Sequence, residues 1–203
     1  MPVGVPKVPF QIPDDEEAEA SWVDLYDRLY RARALFLFQE LTGELTANIT
    51  GLMVFLNIDD NTLEQFLFIN SPGGKMVDGL AVYDMSQAIL PDVHTLCLGL
   101  AASMASFILS GGAMTKRIAF PNARVMIHQP KATIKGEPSN TWDAAVSDIA
   151  EVMRLRETIL YHYAQRSRKP VWVIAEDMER DTYMTPTEAR AYGIIDSIGI
   201  DVV

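Results

Sequence analysis

The chain has 203 residues, of which 49% are hydrophobic and 22% are charged, and its 27 acidic and 17 basic side chains give a formal net charge of −10. This length and composition predict about one globular domain with a sizeable core, and they exclude a disordered, collagen-like or disulfide-stapled chain. The acidic balance argues against a nucleic-acid-binding surface, because phosphate binding requires clustered Lys and Arg.

A single cysteine, Cys97, excludes an intramolecular disulfide and favours a reducing compartment. No segment approaches the roughly 18 to 20 uninterrupted apolar residues of a membrane span, so none is expected. Residues 1–10 have neither the layout of a secretory signal nor the Arg- and Ser-rich character of a transit peptide. If the protein works in an organelle, we expect it to be made there.

The chain divides into an arm and one domain. Four prolines in the first thirteen residues and the acidic run 14–17 predict that 1–20 is an extended arm. Ser21 and Asp24 have the spacing of a helix capping box, which predicts a helix from Ser21 to about Arg33. Strand and helix patterns then alternate, which predicts an α/β fold. The predicted strands are 34–38, 66–70, 93–99, 116–120, 124–127 and 194–198, and the predicted helices are 44–57, 76–90, 103–110, 141–165 and 185–193.

The helix predicted over 141–165 would be about 37 Å long at about 1.5 Å per residue, more than a compact domain of this size needs. We therefore expect it to project from the body.

Strand 66–70 runs through Ser71 and Pro72 into Gly73 and Gly74. Glycines at such a junction let the backbone approach a ligand and turn N–H groups outward, which suits an anion or oxyanion site. A tight strand-to-helix turn explains the same residues, and the pattern alone favours it. A Walker-type phosphate loop is excluded because its Lys-Ser/Thr pair is missing.

Ser103 lies between a strand that ends near Gly99 and the helix predicted over 103–110. A serine at the positive end of a helix is suited to act as a nucleophile, although without further partners a simple helix cap is the favoured explanation. A nucleophilic serine needs a base, and the chain has three histidines. His94 and His162 fall inside a strand and a helix pattern, whereas His128 ends a strand where a loop begins. His128 is therefore the best candidate, and many carboxylates are available to orient it.

Five segments of the chain resemble, in order, the motifs of ClpP, the family of proteolytic subunits of the ATP-dependent Clp protease. They are Ile69-Asn-Ser-Pro-Gly-Gly74, Ala101-Ala-Ser-Met104, Arg124-Val-Met-Ile-His-Gln-Pro130, Glu176-Asp-Met-Glu-Arg-Asp181 and Tyr192-Gly-Ile-Ile-Asp196. The resemblance covers about residues 21–200, and residues 1–10 resemble the form that plastid genomes encode. It implies a chloroplast stromal serine endopeptidase.

The resemblance implies a role for each matching residue. Ser103 matches the nucleophile and His128 the general base, while Gly74 and Met104 match the backbone donors of the oxyanion hole. Two aspartates compete to orient His128. Reading back without gaps from the next helix start favours Asp177, with Asp181 as the runner-up.

The family's architecture is a crotonase-like spiral of strand-strand-helix units with a projecting handle, here 131–165, within the domain 21–203. The resemblance implies two stacked heptameric rings shared with other ClpP and ClpR-type subunits. Unfolded proteins would be the substrates, and a ClpC-type ATPase would deliver them. We expect no cofactor on this chain, because ATP is used by the partner ATPase. We also expect no metal and no nucleic acid.

Three positions depart from the family pattern. Residues 131–136 replace a common glycine pair after Pro130, and Ala88 replaces a phenylalanine of the ATPase-docking cleft, to which Phe66 and Phe68 conform. Glu176 replaces an arginine that pairs across the rings. We therefore expect Glu176 to contact Lys131 or Lys135 of the facing ring and to help position the triad.

Two alternative functions remain open. A catalytically silent ClpR-like subunit typically lacks triad members, and here none is missing. A crotonase-fold acyl-CoA enzyme shares the oxyanion chemistry but has no need of a Ser-His-Asp set.

Overall fold

The structure is a computed structural model that describes residues 4–10, 21–130 and 142–199. The strands are β1 (Lys7–Phe10), β2 (Ser21–Asp24), β3 (Ala34–Leu37), β4 (Gln65–Ser71), β5 (Val93–Ala102), β6 (Arg117–Ala119), β7 (Arg124–Ile127), β8 (Thr182–Met184) and β9 (Ser197–Ile198). The helices are α1 (Leu25–Arg31), α2 (Gly43–Asp59), α3 (Met76–Ala88), α4 (Met104–Ser110), α5 (Trp142–Ser167), α6 (Val171–Asp177) and α7 (Pro186–Tyr192).

The main sheet is mostly parallel and runs in the order β3-β4-β5-β6-β9. Strand β5 is long enough to pair with two neighbours on the same side. Its residues 95–97 pair with β6, and its residues 100–102 pair with β7. Gly99 lies between the two pairings with a φ of 73°. The sheet therefore splits along β5, and the predicted α/β class is confirmed.

The core lies between the sheet and the helices α2, α3 and α4, in which α2 packs on α3, α3 on α4, and α4 on β5. Strand β4 alternates buried and half-buried residues, because Leu67 and Ile69 face the helices while Phe66 and Phe68 face away. Cys97 is fully buried in β5, and burial raises the pKa of its thiol to about 12. The thiol is therefore unreactive.

The amino-terminal prediction is wrong at its boundary. Residues Ser21–Asp24 form β2, which pairs antiparallel with β1, and helix α1 begins only at Leu25. The capping-box spacing was misleading because the Asp24 side chain makes no cap hydrogen bond and the backbone of β2 is satisfied by a distant segment. The rest of the predicted arm, 1–3 and 11–20, lies outside the described residues.

Two short elements near the carboxyl terminus were not predicted. Helix α6 follows Pro170, and β8 pairs antiparallel with β7. Each is too short to give a periodic pattern, and β8 depends on a partner more than fifty residues earlier in the chain. The long helix is confirmed as α5, while handle residues 131–141 lie outside the described ranges. No helix in the described part of the chain is both long and apolar enough to span a bilayer.

A buried ion pair fixes the carboxyl-terminal segment to β6. Arg117 is 3% exposed and donates to both carboxylate oxygens of Asp196, at 2.9 and 2.6 Å, and to the carbonyl of Gly193 at 2.9 Å. Burial opposes ionisation of Asp196, but the hydrogen bonds from Arg117 outweigh it and hold the pKa of Asp196 below its usual value. The ion pair thus fixes the segment between α7 and β9 to β6.

We predict that Asp196→Ala lowers the free energy of unfolding by about 3 kcal/mol, because it leaves the buried Arg117 without its counter-charge. Urea unfolding measures this change. Glu151→Ala is the control, since that carboxylate forms an exposed pair with Arg154 and its loss should cost less than about 1 kcal/mol. Equal costs for the two variants would contradict the prediction.

His162 of α5 packs against Tyr83 and Phe107, with ring centroids 4.9 and 6.1 Å away. Burial, helped by Arg166 and opposed by Asp84, lowers the pKa of His162. The folded state therefore favours the neutral imidazole of His162. Protonation of that ring destabilises the packing of the carboxyl-terminal part of α5.

We predict that the free energy of unfolding falls as the pH drops below about 6.5, because the unfolded chain then binds a proton that the folded chain resists. His162→Gln should remove part of this acid-side loss in thermal unfolding at pH 7.5 and pH 5.5. His94→Gln, which replaces a ring that faces Glu64, should leave the contribution of His162 in place. An unchanged pH dependence in His162→Gln would refute the assignment.

Candidate active site

Ser103 has an unusual backbone conformation, with φ 55° and ψ −125°. An L residue in such a region costs about 1 to 3 kcal/mol, and strain of this kind is concentrated at functional sites. The turn is held because the Ser103 amide donates to the carbonyl of Met126 at 2.9 Å. It ends β5 and starts α4, so the side chain is presented at the sheet edge.

Both glycines of the sequence motif are closely packed, and Gly73 packs directly on this turn. Gly73 has a φ of 94°, and a Cβ there would lie 2.6 Å from the Ala102 carbonyl and 2.8 Å from the Ser103 Cβ. A Cβ on Gly74 would lie 2.3 Å from the carbonyl of Leu41. The tight-turn interpretation is therefore correct as far as it goes, and the same turn lies beside Ser103.

His128 meets Ser103 because parallel strands bring their carboxyl ends to the same edge. Ala102 of β5 is in register with Met126 of β7, and both strands end there. The Nε2 atom of His128 lies 2.9 Å from the Oγ of Ser103, and the imidazole is 13% exposed. The sequence correctly paired these two residues.

The carboxylate beside His128 belongs to Asp181, whose Oδ1 is 2.9 Å from the imidazole Nδ1. Asp181 directly precedes β8, and Thr182 of β8 is opposite Ile127 of β7. The chain therefore delivers Asp181 next to His128. With the Nδ1–H donated to Asp181, the Nε2 lone pair is free to accept from the Ser103 hydroxyl.

The sequence-based choice of Asp177 is corrected by the structure. Asp177 ends α6, and its Oδ2 accepts a hydrogen bond of 2.7 Å from the hydroxyl of Tyr192. Counting along the sequence without gaps could not show where the chain enters β8. The carboxylate that contacts His128 comes four residues after Asp177, directly before that strand. Arg180, and not Glu176, directly precedes that carboxylate.

The expected effect of Glu176 on the triad through Asp177 falls with that correction, because Asp177 does not contact His128. Glu176 is exposed, and Lys131 and Lys135 lie outside the described residues. Its contact with either lysine across a ring interface stays a prediction.

A cavity of about 320 Å³ opens beside the Ser103 hydroxyl. Gly74 and Met104 both line it, and the amide of Met104, as the first residue of α4, has no acceptor within its helix. Their role as oxyanion donors stays a prediction. Most of the remaining lining is apolar, with Glu40 and Lys75 as the charged members. The apolar residues are Met76, Phe107, Pro130, Ile159, Tyr163 and Met178.

Sequence patterns did not reveal the role of Tyr163, which is almost fully buried. Its hydroxyl is 2.8 Å from the Oγ of Ser106, which donates in turn to the carbonyl of Ser103 at 2.7 Å. Burial raises the pKa of Tyr163, so this hydroxyl stays protonated. Helix α5 is thus connected to the strained turn. Among the described residues, no group of three or more His, Cys, Asp and Glu side chains is arranged to hold a metal ion.

We predict that Asp181→Asn slows modification of Ser103 by a serine-directed fluorophosphonate by about 10⁴-fold, because the amide favours the wrong imidazole tautomer. Mass spectrometry of the labelled chain measures the rate. Glu179→Gln is the matched control, since that carboxylate accepts from Arg156 at 3.2 Å, and it should label near the wild-type rate. A fast Asp181→Asn variant would exclude Asp181 from the triad.

The geometry can be compared with known proteins. The family model described as Clp protease matches residues 16–201. Curated proteins named ATP-dependent Clp protease proteolytic subunit from Nicotiana tabacum and Spinacia oleracea are each 54% identical over 201 residues, which is 99% of this chain and 100% of theirs. The protein of the same name from Helianthus annuus is 53% identical over the same coverage. With its family model, its relatives and its mixed α/β architecture in agreement, the chain belongs to the Clp protease family.

Proposed function

We propose that this chain is a proteolytic subunit of an ATP-dependent Clp protease and that it hydrolyses peptide bonds as a serine endopeptidase. One observation carries the proposal. Ser103, His128 and Asp181 form a continuous hydrogen-bonded chain, with both bonds at 2.9 Å, at the mouth of a largely apolar cavity. A nucleophile, a base and an orienting carboxylate are the parts that acyl transfer requires.

In this mechanism the Nε2 of His128 takes the proton of Ser103 as the Oγ attacks the substrate carbonyl. Asp181 fixes the imidazole tautomer and stabilises the imidazolium that forms. The imidazolium then protonates the leaving amine, and the C–N bond breaks to give an ester on Ser103. Water, deprotonated by His128, attacks that ester and releases the second peptide with the serine hydroxyl restored.

The tetrahedral intermediates carry a negative charge on the former carbonyl oxygen. We assign the stabilising donors to the amides of Gly74 and Met104, because both residues line the cavity together with Ser103. Removal of one such donor typically costs about 10²- to 10³-fold in rate. The strained turn at Ser103 supports the assignment of Met104, because it places the Met104 amide at the start of α4.

The cavity supports a preference for an apolar side chain beside the scissile bond. Its volume of about 320 Å³ and its lining of Met76, Phe107 and Ile159 fit one methionine, leucine or aromatic group. Glu40 and Lys75 stand among the lining residues and would contact polar parts of the substrate.

We place this activity in a two-ring heptameric complex of the chloroplast stroma, shared with other ClpP and ClpR-type subunits and supplied with unfolded proteins by a ClpC-type ATPase. The plant relatives and their name support a plastid Clp assembly. An aromatic surface on the outer face of β3 and β4, where Phe36 stacks on Phe68 at 5.4 Å, suits docking of the ATPase. ATP would be bound and hydrolysed by that partner.

The triad geometry disfavours both alternatives. A silent ClpR-like subunit needs no ordered nucleophile and base, and an acyl-CoA enzyme needs no acyl-accepting serine. We assign Glu176 only the ring contact described above, with Lys131 or Lys135 of the facing ring as its expected partner.

Ser103→Ala tests the function. We expect the variant to lose fluorophosphonate labelling and peptide hydrolysis, leaving only about 10³- to 10⁴-fold acceleration over water, because one oxygen is removed from the reacting centre. Native mass measurement should show unchanged assembly. Ser106→Ala is the comparison, since it removes a hydroxyl close to Ser103 but not the one that His128 contacts. Ser103 of this variant should still be labelled. Turnover by Ser103→Ala at the wild-type rate would place the nucleophile elsewhere.

A further inference from the structure

The course of the backbone around Asp181 sets where its carboxylate can reach. The side chain is 48% exposed, so its position against His128 responds to shifts of the segment that carries it. The segment 178–181, which connects α6 to β8, must therefore be fixed at both ends. Pairing of Thr182 with Ile127 fixes the end that enters β8.

The other end is fixed at Asp177 and Met178. The Met178 carbonyl accepts from the amide of Gln129, the residue after His128, at 2.7 Å. The hydroxyl of Thr182 donates to the backbone carbonyl of Asp177, also at 2.7 Å. These bonds connect the segment to the His128 strand and to itself, and the Met178 side chain, which is 2% exposed, packs in the core.

A further attachment, directly before the segment, comes from the hydrogen bond that Tyr192 donates to the Asp177 carboxylate at 2.7 Å. Tyr192 is the last residue of α7, whose ends are fixed by a capping box at Thr185 and by Gly193 in the left-handed conformation. Burial, followed by the bond to Asp177, raises the pKa of Tyr192, so its hydroxyl remains a donor over the working range.

Asp177 occupies a position that is unfavourable for a carboxylate. It is the last residue of α6, where unpaired carbonyls repel negative charge. Asp177 thus runs against the charge preference of a helix carboxyl end, and the hydrogen bond from Tyr192 offsets the electrostatic cost. Sites where a sequence violates local preferences are those where function imposes another requirement.

We propose that Asp177 and Tyr192 are positioning residues that hold the 178–181 segment so that the Asp181 carboxylate faces His128. This inference rests on the proposed function. It predicts that loss of their hydrogen bond weakens the support that Asp181 gives to the protonated imidazole. The other charged groups near this unit are Glu40 and Lys75 in the cavity, the Arg156–Glu179 pair beside Gln129, and Lys169 over the Tyr192 ring.

The first variant is Tyr192→Phe in the full chain, assayed by fluorophosphonate labelling of Ser103 and by peptide hydrolysis across pH 5 to 9. We expect kcat to fall about 10- to 100-fold with little change in KM, because the reacting groups are misaligned while the substrate cavity is intact. The acid limb of the kcat/KM profile should move to lower pH, since a displaced Asp181 stabilises the protonated base less. Tyr183→Phe, which removes a hydroxyl from an exposed tyrosine of β8, is the matched control and should behave as wild type.

Asp177 supplies the second arm of the test. Asp177→Asn keeps an oxygen that can accept from Tyr192 and should retain most of the activity, whereas Asp177→Ala should resemble Tyr192→Phe. If both residues act through one hydrogen bond, the double variant Asp177→Ala/Tyr192→Phe loses no more than either single variant. Should Tyr192→Phe fail to fold, the comparison of Asp177→Asn with Asp177→Ala decides the question.

Three results separate the possibilities. Absence of labelling on wild-type Ser103 would overturn the proposed function itself. Normal labelling of wild type together with an unchanged rate and profile in Tyr192→Phe would overturn only the positioning role. A loss of rate with an unmoved acid limb, or equal losses in Asp177→Asn and Asp177→Ala, would show a general structural contribution and would also overturn it.

Discussion

Ser103 keeps its strained backbone only because the chain around it leaves no room to relax. The Met126 carbonyl holds its amide, and Gly73 fills the space against which the turn would otherwise unfold. Even one methyl group on Gly73 would collide with the Ala102 carbonyl. The glycine motif and the serine motif, about thirty residues apart, are therefore one structural unit, and the cavity and the proposed oxyanion site both take their shape from it.

The split of the sheet along β5 explains how the other two triad residues arrive. The first half of the strand pairs with β6 and the second half with β7, so the ends of β5 and β7 lie side by side. Antiparallel addition of β8 to β7 then brings Asp181 to the far side of the imidazole. Each triad residue lies at or next to a strand end, where side chains are free of the sheet but their backbone is still fixed by it.

Sequence patterns were sufficient where local chemistry decides the structure. The alternation of strands and helices, the helix that begins near Thr185, and the pairing of Ser103 with His128 all follow from residue type and spacing. They were insufficient where a distant partner decides. Ser21 to Asp24 forms a strand because Lys7 to Phe10 pairs with it, and Asp181 displaces Asp177 because a strand pairing absent from local periodicity positions the turn.

The bonds of His128 span 25 residues back to Ser103 and 53 residues forward to Asp181. During synthesis the nucleophile and the base therefore emerge well before the carboxylate, which is made only after the whole of α5. A nascent chain that has been made only as far as α5 lacks the carboxylate that fixes the imidazole tautomer. The order of the chain thus makes the catalytic set complete only when most of the polypeptide has been synthesised.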